Sequence, residues 1–240
     1  MSYPQQTLDE LVGRARELTT TGSRRLLGIT GAPGAGKSTL AGQLVAALVG
    51  GLPEAGRPAA VPGGPAVPGE PVVPAGPAVL VPMDGFHLAE AELRRLGRHD
   101  RKGAPDTFDG AGFVALLRRL RATGPETVYA PEFRREIEEP VAGAIAVPPS
   151  VPLVVVEGNY LLVADEPWGE VRALLDEVWY LQLDETERLR RLTARHIGFG
   201  RPPAEAAARA RGTDQVNAEL IAGTAERADL VVRMAPVTGR

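Results

Sequence analysis

Leu26-Leu27-Gly28-Ile29-Thr30-Gly31-Ala32-Pro33-Gly34-Ala35-Gly36-Lys37-Ser38-Thr39 is the stretch whose reading decides the fold. From Gly31 it matches the phosphate-binding pattern G-x-x-x-x-G-K-[ST], and the five residues before it form a short apolar strand, the setting the motif requires. Glycines in such a loop let backbone N–H groups curl around phosphates. Lys37 can then reach the β/γ oxygens, and the Ser38 hydroxyl can hold Mg²⁺ at the start of the following helix. The stretch predicts a nucleoside triphosphate site built from Gly31, Ala32, Pro33, Gly34, Ala35, Gly36, Lys37, Ser38 and Thr39.

The 240 residues, 44% of them hydrophobic, suffice for one core, and we read a single domain over residues 1–240. Basic residues number 27 and acidic residues 30, a formal charge of −3. This leaves no basic field to select nucleic acid or anionic lipid, so neither is expected as a partner. The chain has no cysteine, which excludes disulfides, thiolate metal sites and a cysteine nucleophile. Its first residues, Met1-Ser2-Tyr3-Pro4-Gln5-Gln6, lack the apolar core of a signal peptide, and no apolar run reaches the length of a membrane span. A cytoplasmic protein is the expectation.

Outward from the motif, short β-rich runs alternate with helical patterns. Strands are predicted at Leu26–Thr30, Ala78–Met83, Leu153–Val156, Val178–Leu183 and Leu230–Arg233. Helices are predicted at Thr7–Leu18, Lys37–Val49, Gly112–Arg121, Thr186–His196 and Pro203–Arg227. The alternation is that of a parallel α/β sheet with helices on both faces. Residues 52–77 are of low complexity, with prolines 62, 65, 68, 71, 74 and 77 at every third position, the repeat of polyproline II. We read them as a disordered insertion acting as a spacer, away from the phosphate end of the sheet.

In open α/β sheets, ligands bind outside the carboxyl ends of the strands. The second predicted strand runs into Met83-Asp84-Gly85-Phe86-His87, and the third ends in Val156-Glu157-Gly158-Asn159-Tyr160. An acid after an apolar run is where Mg²⁺ is held directly or through water, so Ser38 and Glu157 are the metal candidates. After the fourth strand, Arg188, Arg191 and Arg195 recur at helical spacing on one face, followed by Gly198-Phe199-Gly200. Cations after a strand of a phosphate-binding sheet suit a lid, which we place over 185–201 with the glycines as its hinge.

Taken in order, five segments carry a resemblance. They are Gly31 to Thr39, Met83 to His87, Arg101-Lys102-Gly103-Ala104-Pro105-Asp106-Thr107-Phe108-Asp109, Val156 to Leu162, and Arg191 to Arg195. Together the chain resembles the phosphoribulokinase/uridine kinase superfamily of P-loop kinases, in its nucleoside/nucleotide kinase-like branch, which includes pantothenate kinase relatives and proteins named as fructose-transport-system kinases. The resemblance implies a core sheet ordered 2-3-1-4-5 and transfer of a phosphoryl group from ATP, with Mg²⁺, to a hydroxyl of a nucleoside such as uridine, a pantothenate-like molecule or a sugar. It implies Asp84 as the base toward the acceptor hydroxyl, Lys37, Arg191 and Arg195 as the catalytic cations, and Glu157 near Mg²⁺ and substrate. On the acceptor side it points to Phe86, His87, Asp106, Phe108, Arg135, Asn159 and Tyr160. Its Pro-x-Phe-Asp-Arg element appears as Pro131-Glu132-Phe133-Arg134-Arg135, where arginine replaces the aspartate. Dimers are common among such relatives. A P-loop regulatory NTPase is the rival class, but neither an Asn-Lys-x-Asp nor a Leu-Ser-Gly-Gly-Gln motif occurs. A nucleotide-binding module acting on a protein through the proline segment is a second rival, opposed by intact Lys37, Ser38, Asp84 and Glu157.

Overall fold

Apolar runs bounded by glycine and proline become strands, and the stretches between them with a helical apolar stripe become helices. The computed structural model describes residues 4–50, 76–122 and 124–234. The proline-rich segment, but for Gly76 and Pro77, lies outside the described residues; the described chain leaves at Gly50 and resumes at Gly76, beside Val49. The strands are β1 (Gln5–Gln6), β2 (Arg25–Thr30), β3 (Ala78–Pro82), β4 (Val128–Arg134), β5 (Glu139–Val147), β6 (Leu153–Glu157), β7 (Glu177–Leu181) and β8 (Leu230–Met234). The helices are α1 (Leu8–Thr19), α2 (Lys37–Gly50), α3 (Glu90–Arg95), α4 (Gly110–Arg121), α5 (Val171–Leu174), α6 (Glu185–Gly198), α7 (Pro203–Arg211) and α8 (Thr213–Ala222).

Six strands form one sheet in the order β1-β8-β7-β2-β6-β3, every neighbouring pair parallel. Counting only the five strands the sequence predicted, this is the expected 2-3-1-4-5, with β1 added outside β8. Strand alternation divides the core between two faces. Leu27, Ile29, Leu153, Val155 and Trp179 meet Leu11, Val12, Leu40 and Leu44 of α1 and α2. Leu26, Val154, Val156 and Val178 meet Phe113, Leu117 and Trp168 on the other side. Thr7 caps α1 in a reciprocal box with Glu10.

One expectation is corrected, and one element is new. The helix predicted over Pro203–Arg227 is interrupted at Gly212, whose backbone is not helical, and becomes α7, α8 and a short 3₁₀ turn at Ala225–Arg227. The hairpin β4-β5 was not foreseen; it is a separate antiparallel sheet with a bulge between Ala130 and Glu132 and a turn at Glu138, whose φ is 54°. Prolines 131 and 140 and six charged residues within 132–136 and 138–139 hid its alternation.

Candidate active site

Three adjacent strands deliver the chemistry. The phosphate loop follows β2, Glu157 ends β6 beside it, and Asp84 follows β3; the register aligns Ile29, Glu157 and Pro82 across the ladder. Within the loop Ala35 N–H donates to the Ala32 carbonyl at 3.0 Å, and Lys37, only 7% exposed, donates to the same carbonyl at 3.2 Å. Gly34 has φ +86°, and a Cβ there would lie 3.0 Å from the Arg188 carbonyl and 3.1 Å from Leu192 Cβ, so α6 packs directly on the loop. A side chain at this position would part the two elements.

Burial dominates the electrostatics. It lowers the Lys37 pKa, opposed by the nearby Glu157 and Asp84 carboxylates and reinforced by Arg195. It raises the Glu157 pKa, against the pull of Lys37 and a hydrogen bond from the Ser38 hydroxyl, with Asp84 adding to the rise. An enclosed carboxylate beside an ammonium and a hydroxyl is a place where added positive charge is welcome. Among the described residues no cluster of three His, Cys, Asp or Glu side chains is arranged to hold a metal unaided. The donor set fits Mg²⁺ that arrives with phosphate oxygens and water as ligands, and Ser38 and Glu157 are the residues that would hold it.

Beyond the phosphate loop lies an open cavity of about 680 Å³ lined by Asp84, His87, Phe108, Phe133, Arg135, Asn159 and Arg195 among others. Burial pushes the His87 pKa down, so the ring is neutral near pH 7. Its Nδ1 lies 2.8 Å from the Asp84 carbonyl, which can only accept, so the proton sits on Nδ1 and Nε2 is left as an acceptor. The His87 ring packs between Phe108 and Phe133, with centroids 4.0 and 4.9 Å away. One rim of the cavity is strapped to α7 and α8: Arg209 donates to the Asp100 and Lys102 carbonyls at 2.8 and 2.7 Å, and Asn217 to the Gly103 carbonyl at 3.1 Å.

Of the residues singled out in the sequence, Asp84, His87, Phe108, Arg135, Asn159 and Arg195 converge on this cavity, with Lys37 and Glu157 at its phosphate end. Four do not line it. Asp106 is exposed and paired with Arg101 at 2.7 Å. Phe86 packs edge-on against Phe113 in the core. Tyr160 is fully buried, its hydroxyl donating to the Gly103 carbonyl, and burial raises its pKa. Arg191 pairs with Glu187 at 2.7 Å, with its guanidinium near Gly36 of the phosphate loop. Arg188, grouped with Arg191 and Arg195 by spacing, is a structural anchor: 2% exposed, it donates to the Pro33 carbonyl at 3.1 Å and pairs with Glu185 at 2.7 Å. Arg134, the departure from the family element, is paired with Glu132 at 3.6 Å and is not among the cavity residues. Sequence reasoning missed Phe133 as a cavity residue and the Arg209 and Asn217 straps, because their partners are carbonyls far away in the chain.

A parallel sheet ordered in this way, with a phosphate loop after its central strand and acids after the next two, defines a P-loop kinase. No family model matches the chain. The Schizosaccharomyces pombe protein named "Putative uridine kinase C227.14" is 31% identical over 231 residues, 94% of this chain and 89% of that one. The "ATP-dependent kinase-like protein notR'" of Aspergillus versicolor is 40% identical over 149 residues, 58% of this chain and 86% of that protein. A crystal structure titled as a "putative fructose transport system kinase" from Silicibacter sp. TM1040 superposes with a TM-score of 0.77 at 35% identity, covering 95% of this chain and all of that one. The chain belongs to the P-loop kinases of the phosphoribulokinase/uridine kinase superfamily. No helix among the described residues is long and apolar enough to cross a membrane.

Proposed function

We propose that the protein is a Mg²⁺-dependent kinase that transfers the γ-phosphoryl group of ATP to a hydroxyl of a small molecule, a nucleoside, pantothenate-like compound or sugar. The observation that carries this reading is the convergence of Lys37, Glu157 and Asp84 at the ends of adjacent strands with Arg195 from α6, where one buried ammonium feels both carboxylates and the arginine. Phosphoryl transfer asks little covalent chemistry of a protein; it needs positioning and compensation of charge on the transferred group. The backbone N–H groups of the loop and Lys37 bind the phosphates, and Arg195 faces the cavity to meet charge that develops during transfer. Asp84 orients the acceptor hydroxyl and takes its proton. Mg²⁺, held by Ser38 and Glu157 with the phosphates, supplies neutralisation of the triphosphate when bound.

A screen of ADP release with Mg·ATP across uridine, cytidine, pantothenate, fructose and related alcohols tests the reading. One or more of them is expected to raise ADP release well above the rate with ATP alone. ATP-only turnover unaffected by every alcohol would instead favour a regulatory NTPase.

A further inference from the structure

One guanidinium touches three parts of the cavity wall. Arg135, on the hairpin just past β4, places Nη2 3.5 Å from Asp84 Oδ2. Its guanidinium carbon lies 5.6 Å from the Phe133 ring centroid and 5.3 Å from that of Phe199. Phe199 caps the C-terminus of α6 and is 60% exposed, with the Arg135 guanidinium set over its ring. Phe199, Gly200 and Arg201 are attached through backbone bonds of their N–H groups to the Arg195, Ile197 and His196 carbonyls, at 3.1, 2.9 and 3.1 Å. Arg135 also acts on the catalytic cation: its charge helps lower the pKa of Arg195, alongside burial.

We propose that Arg135 and Phe199 form a latch joining the hairpin to the end of α6 above Asp84, so that the position of residues 195–201 and the presentation of Asp84 to an acceptor are set together. The proposal rests on the kinase reading for the role of Asp84, but the latch itself is a property of the ligand-free protein. A cation between two aromatic faces is attracted to both, and removing either ring or cation frees the other end. With the acceptor hydroxyl on Asp84, its carboxylate has a competing partner, and Arg135 remains held by the two rings. Both residues act through others and are positioning residues.

The test compares hydrogen–deuterium exchange of the amides of Phe199, Gly200 and Arg201 in the full-length, ligand-free protein and in Arg135→Ala, Phe199→Ala, the double variant, Arg135→Lys and Phe199→Trp. Protection at these amides is expected to fall about two- to fivefold in each alanine variant, the range of an exposed cation–π contact, with Phe199→Trp retaining it. The double variant is expected to lose no more than either single variant, since each removes the same contact. Additive losses, or unchanged protection in both single variants, would overturn the latch. With any alcohol that the ADP-release screen identifies, Phe199→Ala should raise the acceptor KM while leaving the ATP KM unchanged, and Phe199→Trp should restore it. An equal rise in both KM values would also overturn it. If no alcohol stimulates ADP release, the kinase reading fails, while the exchange data still decide the latch.

Discussion

Adding one methyl group at Gly85 should uncouple acceptor recognition from ATP binding. Gly85 sits beneath the hairpin: a Cβ built there would lie 2.3 Å from the Pro131 carbonyl oxygen, 2.6 Å from its carbon and 3.1 Å from the Glu132 nitrogen. Its φ is not positive, so an alanine brings no left-handed strain, and the whole effect comes from contact. The obstacle is backbone, which cannot rotate away, and reaching even a 3.0 Å separation requires a retreat of at least 0.7 Å. Pro131 is two residues from Phe133 and four from Arg135, so the acceptor wall moves with it. Misplacement of reacting groups by about 1 Å costs on the order of 10²-fold, and we expect Gly85→Ala to lower kcat/KM for the acceptor about 10- to 100-fold, or about 1.4–2.7 kcal/mol. Overpacking should also reduce stability by about 1–3 kcal/mol. Calorimetric ATP affinity should hold, because the phosphate loop belongs to a different strand. Gly42→Ala, with nothing within 4 Å of the added Cβ, is the matched control and should gain about 0.5–1 kcal/mol in a helix interior. Wild-type acceptor kinetics in Gly85→Ala at unchanged melting temperature would show that the hairpin is not seated on this glycine.

Other expected outcomes follow from single side chains. Lys37→Ala should lower kcat by at least about 10²-fold with the fold intact by circular dichroism; wild-type kcat would remove Lys37 from the phosphate site. Asp84→Asn should cost about 10²- to 10⁴-fold in kcat with ATP affinity little changed, and a matching loss of ATP affinity by calorimetry would make Asp84 a nucleotide or metal ligand instead. Arg24, 8% exposed, donates to the Val151, Leu120 and Pro148 carbonyls at 3.0, 3.2 and 2.6 Å. Arg24→Ala should therefore destabilise by about 2–4 kcal/mol in urea melts, and a loss under about 0.5 kcal/mol would mean water replaces it. Asp176 is penalised by burial, but bonds from Leu26 N–H, Arg25 and Arg121 more than offset this and hold its pKa below the ordinary value. A depressed folded-state pKa contributes stability above the unfolded value of about 3.9 that is lost as pH falls through the folded one. Asp176→Asn should thus be less stable at pH 6 and show a shallower fall below pH ~4; parallel stability–pH curves for the two proteins would contradict this.

How much of this was legible in the sequence depends on whether the determining contact is local. The strands around Leu27, Val155 and Trp179 announce themselves because a parallel strand covered on both faces is apolar throughout. Lys37, Asp84 and Glu157 were found because strand ends can be located once strands are. The hairpin was hidden because its charged and proline residues serve a half-exposed wall, not a core. Spacing put Arg188, Arg191 and Arg195 on one helix face, but their different fates depend on what that face meets: the Pro33 carbonyl, Glu187 and the open cavity. Asn217 and Arg209 gave no signal, since a carbonyl partner a hundred or so residues away leaves no trace in residue type.

The lateral order β2-β6-β3 acts as a ruler for the reaction. Neighbouring strands stand about 4.8 Å apart, so the ends of β2 and β3, which lead into the phosphate loop and the Asp84 turn, are set about 9.6 Å apart, with β6 carrying Glu157 between them. That span belongs to the ladder and not to any side chain. The hairpin that supplies Phe133 and Arg135 shares no ladder with the six-stranded sheet, so the interval between the strand ends does not depend on its pairing. On the kinase reading proposed above, the spacing of donor and acceptor and the lining of the acceptor wall would thus lie on separate pieces of the chain.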